Sequence, residues 1–364
     1  MGVSILITAA VLLILVIAIK VFNAKKSEPD LLEYFKKHPD RVSCCFAEND
    51  RPIIAYQVDR KMPLASVLKI MIAVEYIRQI KLGQITPNQT VTLDQLDRYY
   101  IPYSDGGAHQ NWLKNIRHGQ SKLKRTVTLS EVAEGMIQYS SNANTEYLME
   151  VLGIDAINRT VNQISGTEHD PIFPISSAGL MGTYLMEKES ITFHEMKKRL
   201  ESMDFDEYKS ISNEIHRRLS GDEQKAFIRR FNNRTSFNRE IQLISSQRLP
   251  AGTTRLYATL LSRLKQLDWF DDDAWQQFLN LMRRPVREGA PVAQILSKGG
   301  SSISITNEVL YVKDQKGNWL SLALFIHEPS RKKLKRLERK TVSFVLQLLL
   351  DSQYRSRVAQ ELNS

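Results

Sequence analysis

The hydrophobic pattern predicts strands towards both ends of the chain and helices between them. Residues 42–47 and 52–58 are apolar runs on either side of the turn-forming segment 48–51, which predicts a β-hairpin. The last third holds three further β-rich runs, at residues 293–297, 304–312 and 320–327. Asp314-Gln-Lys-Gly317 supplies a hairpin turn between the last two. We expect these distant segments to pair in one sheet.

Helical patterns dominate the middle of the chain. Residues 63–80 are apolar nearly all round, which predicts a helix buried at the centre of a domain. Further helices are predicted at residues 29–37, 129–139, 144–152 and 335–350. Together these elements predict an α/β (α+β sandwich) fold, with an antiparallel sheet flanked by helices and a central helical subdomain.

We place the domain at residues 28–350. Two segments differ in composition from the rest of the chain, one inside this domain and one after it. Residues 187–240 are dense in charges of both signs and poor in β-formers. This composition predicts two or three surface helices, either an insertion that caps the domain or a solvated helical excursion. Residues 351–364 are expected to form a polar C-terminal tail.

The N-terminus predicts a membrane anchor at residues 1–24. Residues 2–19 are uncharged and mostly aliphatic, about long enough to cross a bilayer. A cleaved signal peptide is less favoured, because no basic residue precedes the apolar run. We therefore expect a single-pass protein of the cell membrane. Lys20, Lys25 and Lys26 follow the span, and this arrangement favours a cytoplasmic position for the domain.

The charge balance adds a possible surface partner. The formal net charge is +10, and much of the excess lies in residues 114–125 and 331–340. Neither run is interleaved with aromatic residues, so no nucleic-acid partner is expected. Both runs fit solvated faces, and anionic lipid is the favoured partner if one exists. Cys44 and Cys45 are adjacent, which excludes a disulfide framework.

Candidate chemistry begins with Ser66 and Lys69. On a helix, a hydroxyl and an amine three residues apart lie on the same face. Burial in an apolar helix should lower the pKa of the amine and make it a base towards the hydroxyl. The same spacing also fits a helix-capping serine and a snorkelling lysine. It recurs at residues 121–124 and 330–333, in basic segments that look exposed.

Two further motifs supply polar groups of the same kind. Ser140 and Asn142 lie between two predicted helices, where both could face one cleft. Lys298-Gly-Gly-Ser301 ends a β-run. Its glycines allow close backbone approach, and its lysine can bind a carboxylate.

The three motifs, in this order, resemble the S-x-x-K, S-x-N and K-[TS]-G signature of the serine β-lactamase and penicillin-binding-protein superfamily. The resemblance to class A β-lactamases extends over residues 28–350. It includes the opening helix and hairpin, the buried helix after Pro63, and the terminal strand hairpin and helix. It implies a β-lactamase/transpeptidase-like fold and a serine hydrolase.

Carried over by position, the resemblance implies a role for each motif residue. Ser66 would be the acylated nucleophile, Lys69 its base, and Ser140 a proton shuttle to the leaving group. Asn142, Gly300 and Ser301 would bind substrate, and Lys298 would support the shuttle and bind a substrate carboxylate. The backbone N–H groups of Ser66 and Ser301 would form the oxyanion hole.

The sequence departs from the class A pattern in three places. Ser141 stands where Asp is usual, and Gly299 where Thr or Ser is usual. The Glu-x-x-Leu-Asn signature, which supplies the deacylating base of class A β-lactamases, is missing. The corresponding stretch, residues 171–190, contains two acidic residues, Glu187 and Glu189, and neither fits the signature. Acylation is therefore better supported than deacylation.

Three functions remain open: a β-lactamase-like hydrolase, a penicillin-binding-like peptidoglycan peptidase, and a membrane-tethered sensor that is slowly acylated. The expected substrate is a small molecule or a peptidoglycan-type compound. His194-Glu195 lacks the second histidine of a zinc-protease motif, and no metal or cofactor is expected. We expect a monomer, and the resemblance places the domain outside the cytoplasm.

Overall fold

The structure, a computed structural model, describes residues 31–102, 104–117, 125–221 and 238–363. The chain forms two compact units. Among the described residues, the helical unit comprises residues 68–163 and 171–250, and the sheet unit comprises residues 31–67, 164–170 and 251–363.

Helices and short strands alternate along the chain, and the three longest strands lie near its C-terminal end. The helices are α1 (Leu31–Lys37), α2 (Lys69–Lys81), α3 (Leu93–Asp97), α4 (Ala108–Arg117), α5 (Leu129–Glu134), α6 (Asn142–Leu152), α7 (Ile154–Ser165), α8 (Ile175–Ala178), α9 (Met181–Glu189), α10 (Phe193–Ser202), α11 (Phe205–Ser220), α12 (Arg239–Gln247), α13 (Thr254–Ala258), α14 (Leu260–Lys265), α15 (Asp272–Met282), α16 (Arg331–Leu350) and α17 (Ser352–Asn363). The strands are β1 (Val42–Glu48), β2 (Arg51–Tyr56), β3 (Met62–Pro63), β4 (Thr90–Thr92), β5 (Thr126–Thr128), β6 (Ala251–Gly252), β7 (Arg283–Arg284), β8 (Val292–Ser301), β9 (Ile305–Asp314) and β10 (Trp319–His327).

The sheet unit contains an antiparallel sheet of order β2-β1-β10-β9-β8-β7. Strands β1, β9 and β10 are buried on both faces, which explains their nearly continuous apolar sequences. Both predicted hairpins are confirmed. In the first hairpin, Asn49 and Asp50 form the turn with positive φ, a conformation that these residue types tolerate. In the second, Asp314 Oδ1 accepts hydrogen bonds from the backbone N–H groups of Lys316 and Asn318, both at 2.8 Å.

Helices α1, α16 and α17 pack on one face of this sheet. Phe35 of α1 meets Phe344 of α16, with ring centroids 5.6 Å apart. The predicted polar tail is wrong, because residues 352–363 form α17 with Val358 and Leu362 buried in the core. Their spacing of four residues places both on one face of a helix, and the polar residues around them hide this face in the sequence.

The buried central helix begins later than predicted. Pro63 pairs in β3 with Ala251 of β6, and Ala65 has a left-handed φ of 47°. A 3₁₀ turn follows at Ala65–Leu68, and the α-helix starts at Lys69. Ser66 therefore lies in the tight turn before the helix, where it is half-buried.

In the helical unit, the predicted charge-dense segment forms α10, α11 and part of α12, while residues 222–237 lie outside the described residues. These helices are amphipathic. Tyr208, Ile215 and Leu219 of α11 are buried, and Ser212 donates a hydrogen bond to the Pro174 carbonyl oxygen at 2.6 Å. The segment is therefore packed against the 171–180 region of the same unit.

None of the helices in the described part of the chain combines the length and apolar composition that a membrane crossing requires. The anchor predicted at residues 1–24 lies outside the described residues.

Candidate active site

Three hydrogen bonds to backbone carbonyl oxygens hold the turn that carries Ser66. The buried Asn307 of β9 donates from Nδ2 to the Pro63 and Leu64 carbonyl oxygens, at 2.8 and 3.2 Å. The Val67 N–H also donates to the Leu64 carbonyl oxygen, at 3.2 Å. Sequence analysis did not single out Asn307. The only sign of it in the sequence is an amide side chain within an apolar β-run.

Gly300 of β8 lies directly against the same turn. A Cβ at Gly300 would be 2.3 Å from the Leu64 carbonyl oxygen and 3.1 Å from the Val67 backbone nitrogen. A Cβ at that distance from backbone atoms cannot be accommodated without movement, so the position requires glycine. The third motif and the turn of Ser66 are therefore neighbours in the sheet unit.

Lys298 is buried in β8, with 1% of its surface exposed. Its Nζ donates to the Gly299 carbonyl oxygen at 2.9 Å. The preceding residue, Ser297, accepts hydrogen bonds from the buried Arg284, at 3.1 Å on Oγ and 3.0 Å on the carbonyl oxygen. Glu308 pairs with Gly299 in register on β9. Burial raises the pKa of Glu308 to about 7, although the charges of Arg284 and Lys298 act in the opposite direction.

In the helical unit, Lys69 lies at the centre of the second group of predicted residues. The side chain is fully buried. Its Nζ donates to the Ser140 carbonyl oxygen at 2.7 Å, to Ser140 Oγ at 3.3 Å and to Asn142 Oδ1 at 2.8 Å. The structure therefore brings together Lys69, Ser140 and Asn142.

The electrostatics of Lys69 are those of a base. Burial lowers the pKa of its amine to about 7, and the negative charges of Asp105 and Glu146 limit this shift. All three acceptors of the amine belong to neutral groups, so no carboxylate holds the proton by direct contact. An amine with a pKa near neutrality can accept a proton from a hydroxyl and return it.

Backbone conformation aims Ser140 at Lys69. A π-helical turn at Gly135–Tyr139 ends α5, and Ser140 follows with a left-handed φ of 67°. Such a conformation is costly for a residue other than glycine and is concentrated at functional sites. Here it directs both the carbonyl oxygen and the hydroxyl of one residue to the same amine.

The unusual Ser141 has a clear structural role at the start of α6. Its Oγ accepts from the Asn144 N–H at 3.3 Å and donates to Asn144 Oδ1 at 2.9 Å. His109 Nδ1 lies 2.9 Å from the same Oγ. The hydroxyl thus caps the helix in place of the usual carboxylate, as part of a fully buried cluster.

Asp105 is a further residue that sequence analysis missed. Its carboxylate accepts from the backbone N–H groups of Gly107 and Ala108 at 3.1 Å and of His109 at 2.9 Å. It also accepts from the Asn142 N–H at 3.4 Å. The available signal was Asp-Gly-Gly before a helical pattern, which is typical of a helix start.

The predicted acidic candidates lie on α9, and both are exposed. Glu189 pairs with Arg199 at 3.6 Å. The carboxylate that contacts the 171–180 region is instead that of Glu146, on α6. Glu146 accepts from the Ser177 N–H at 2.7 Å and from Ser177 Oγ at 2.5 Å.

Glu146 is also paired with His216 of α11. His216 Nδ1 lies 3.2 Å from Glu146 Oε2, and Nε2 lies 3.3 Å from Glu150 Oε2. Burial lowers the pKa of His216, but hydrogen bonds and charges from the two glutamates outweigh it and raise the pKa to about 9. Glu146 is therefore occupied by partners that hold α8 and α11 against α6.

Comparison with known proteins places this chain in a family. The profile of the Beta-lactamase enzyme family matches residues 26–351. A comparison with curated proteins finds no significant match.

Solved structures share the fold at low sequence identity. A mutant of PBP-A in an acyl-enzyme complex with penicillin G is 16% identical, over 86% of this chain and 91% of that chain, with a TM-score of 0.51. A class A β-lactamase representative from Bacteroides cellulosilyticus is 16% identical, over 88% and 98%, with a TM-score of 0.51. A β-lactamase from Burkholderia vietnamiensis is 13% identical, over 91% and 100%, with a TM-score of 0.51. The predicted fold is confirmed, and the chain belongs to the β-lactamase enzyme family.

Proposed function

We propose that this protein is a serine hydrolase that forms an acyl-enzyme at Ser66. The observation that carries the proposal is the buried amine of Lys69, with its pKa near 7 and its bonds to Ser140 and Asn142. An amine in that state is a competent base for the hydroxyl three residues earlier in the chain.

The proposed reaction is acyl transfer from an amide or ester. Ser66 Oγ attacks the substrate carbonyl carbon while Lys69 takes its proton, and the developing oxyanion is met by the N–H groups of Ser66 and Ser301. The carbonyl–leaving-group bond then breaks, and Ser140 passes a proton to the departing atom. Asn142 binds the substrate amide, and Lys298 supports the proton transfer and binds a substrate carboxylate.

The substrate that we propose is a β-lactam or another amide or ester of small size. One fold neighbour, the PBP-A mutant, is an acyl-enzyme complex with penicillin G. That complex supports penicillin as a probe for this chain.

A second candidate function is slow turnover, as in a penicillin-binding-like peptidase or an acylated sensor. The specific observation is the state of the carboxylates in the helical unit. Glu187 and Glu189 are exposed, and Glu146 is occupied by Ser177 and His216. Water activation for deacylation needs a general base within hydrogen-bond reach of the attacking water, and a carboxylate already bound to other groups is poorly suited to that role. We therefore expect a long-lived acyl-enzyme.

We also propose that residues 1–24 anchor the domain to the cell membrane as a single span. The family resemblance favours an extracytoplasmic domain, whereas Lys20, Lys25 and Lys26 favour the opposite side. Protease accessibility on intact cells distinguishes the two, since a protected domain would exclude a role at the cell wall.

Labelling with a fluorescent penicillin tests the catalytic proposal. The full chain in detergent is mixed with the probe, and the covalently bound fluorescence is followed on denaturing gels over time. We expect labelling that is absent in Ser66→Ala and persists for hours after excess probe is removed. Rapid loss of the label would identify a hydrolase with efficient deacylation. If neither penicillin labelling nor esterase activity depends on Ser66, the assignment of the nucleophile is wrong.

A further inference from the structure

A dense patch of positive charge covers the first half of α16. Its members are exposed basic side chains that we call the basic patch: Arg331, Lys332, Lys333, Lys335, Arg336 and Arg339. Leu334 and Leu337, on the opposite side of the helix, are buried, and Leu337 belongs to the core that packs against the sheet. The packing of α16 therefore turns the basic patch towards solvent.

Two carboxyl groups of the protein interact electrostatically with the basic patch, Glu328 with Lys333 and Glu338 with Lys335. Among the described residues, its members take part in neither an ion pair nor a side-chain hydrogen bond. The first turn of α16 contains three of them and no acidic residue. Positive charge at a helix N-terminus opposes the helix dipole, so this sequence weakens the helix that carries it.

The basic patch lies near α1, the first described helix of the chain. Tyr34 of α1 donates a hydrogen bond to Glu328, just before α16, at 2.9 Å, and Phe35 stacks edge-on against Phe344. Lys340 lies close enough to Glu33 to lower the pKa of that exposed carboxyl, although Lys37 has the larger effect. The start of α1 thus lies beside the basic half of α16.

The chain between the predicted anchor and α1 is short. Six residues, 25–30, separate them. Fully extended, they span at most about 20 Å at roughly 3.3–3.6 Å per residue. A bilayer that holds the anchor would therefore lie within about 20 Å of Leu31, and α1 lies beside the basic half of α16.

We propose that the basic patch docks on the anionic phospholipid headgroups of the membrane in which the N-terminal segment is inserted. Ammonium and guanidinium groups bind lipid phosphates, and each such residue near an anionic surface strengthens association roughly fivefold. The contact is electrostatic and peripheral, since the apolar side chains in this half of α16, Leu334 and Leu337, are buried. It would fix which side of the sheet unit faces the bilayer. This inference depends on the proposed membrane anchor.

Lysine footprinting on the full chain tests the proposal. The protein is placed in lipid nanodiscs of phosphatidylcholine alone or with about 30% phosphatidylglycerol, and acetylation of each lysine is measured by mass spectrometry. We expect Lys332, Lys333 and Lys335 to react at least about threefold more slowly on the anionic discs, with recovery at about 0.5 M NaCl. The exposed Lys316, at the β9–β10 turn, should react equally on both.

Two matched variants isolate the patch from overall charge. In the first, Lys332, Lys333, Arg336 and Arg339 are changed to Gln, and Lys335 is the reporter. In the second, the same charge is removed at exposed positions elsewhere: Lys198, Arg217, Arg287 and Lys316 are changed to Gln. The first variant should lose the protection of Lys335, and the second should keep it.

The outcomes separate this inference from the anchor on which it depends. Failure of the wild type to co-elute with neutral discs means that the anchor is wrong. Co-elution with equal lysine reactivity on both kinds of disc overturns the docking proposal alone. Protection by soluble polyanions such as DNA or polyphosphate, but not by anionic discs, would assign the patch to a different partner and overturn the lipid assignment.

Discussion

Lys69 and His216 are two buried bases of the same helical unit, and their surroundings shift their pKa values in opposite directions. Burial dominates at Lys69, whose amine contacts neutral acceptors and has a pKa of about 7. At His216 the contacts with two carboxylates have a larger effect on the pKa than burial. The imidazole lies between the carboxylates of Glu146 and Glu150, and its pKa is about 9.

The comparison distinguishes two roles within one unit, the catalytic base that we propose and a structural link. An amine without a contacting carboxylate can gain and lose its proton near neutrality, as a base must. An imidazolium clamped by two carboxylates keeps its proton and serves as a link between helices. Lys69 should therefore matter for chemistry and little for folding, and His216 should show the reverse.

The largest expected effect follows from Lys69→Met, which replaces the amine with an apolar chain of similar length. We expect the rate of acylation by fluorescent penicillin to fall about a thousandfold or more, because the hydroxyl of Ser66 loses its base. The free energy of unfolding should be unchanged or higher, since a buried amine is costly to charge. Stopped-flow labelling and chemical denaturation measure the two quantities. A variant that unfolds readily would contradict the division of roles.

His216→Gln should have the opposite profile. It leaves the buried Glu146 without its cation, and we expect the free energy of unfolding to fall by about 3 kcal/mol at pH 6. The raised pKa of His216 means that its contribution is complete below pH 6.5 and is lost as pH rises through about 9. The difference between wild type and variant should therefore shrink between pH 6.5 and 9.

The exposed His194 of α10 provides the matched control for that measurement. His194→Gln should leave the denaturation midpoint nearly unchanged at every pH. A loss below about 1 kcal/mol in His216→Gln would mean that the ion pairs are not what holds α11.

The pH dependence of acylation gives a third test. With the pKa of Lys69 at about 7, the neutral amine is the minor form in acid, so the acylation rate should rise about tenfold per pH unit below neutrality and level off above it. Asp105→Asn removes a negative charge that raises the pKa of Lys69 and should shift the midpoint to lower pH. Asp155→Asn, on the exposed side of α7, should not. Coincident midpoints in all three proteins would exclude Lys69 as the titrating group.

The long strands of the sheet and three residues of the candidate site were predictable from sequence, because local patterns carry them. Apolar runs on either side of turn residues specified both hairpins, and two short motifs specified Lys69, Ser140 and Asn142 as candidates. The start of α2 was not predictable, since an apolar run from Pro63 to Ile80 gives no sign of a left-handed Ala65. The pairing of Glu146 with His216 was also hidden. The two residues are 70 positions apart, and tertiary packing alone brings them together.

Glu150→Gln has the smallest expected effect and sharpens the comparison most. The side chain of Glu150 is 51% exposed, whereas that of Glu146 is 1% exposed. A half-exposed ion pair contributes about 0–1 kcal/mol, so this variant should cost far less than His216→Gln. The pKa of His216, read by NMR, should still fall, because Glu150 is one of the two groups that raise it. A cost equal to that of His216→Gln would assign the link between α6 and α11 to Glu150 and not to the buried Glu146.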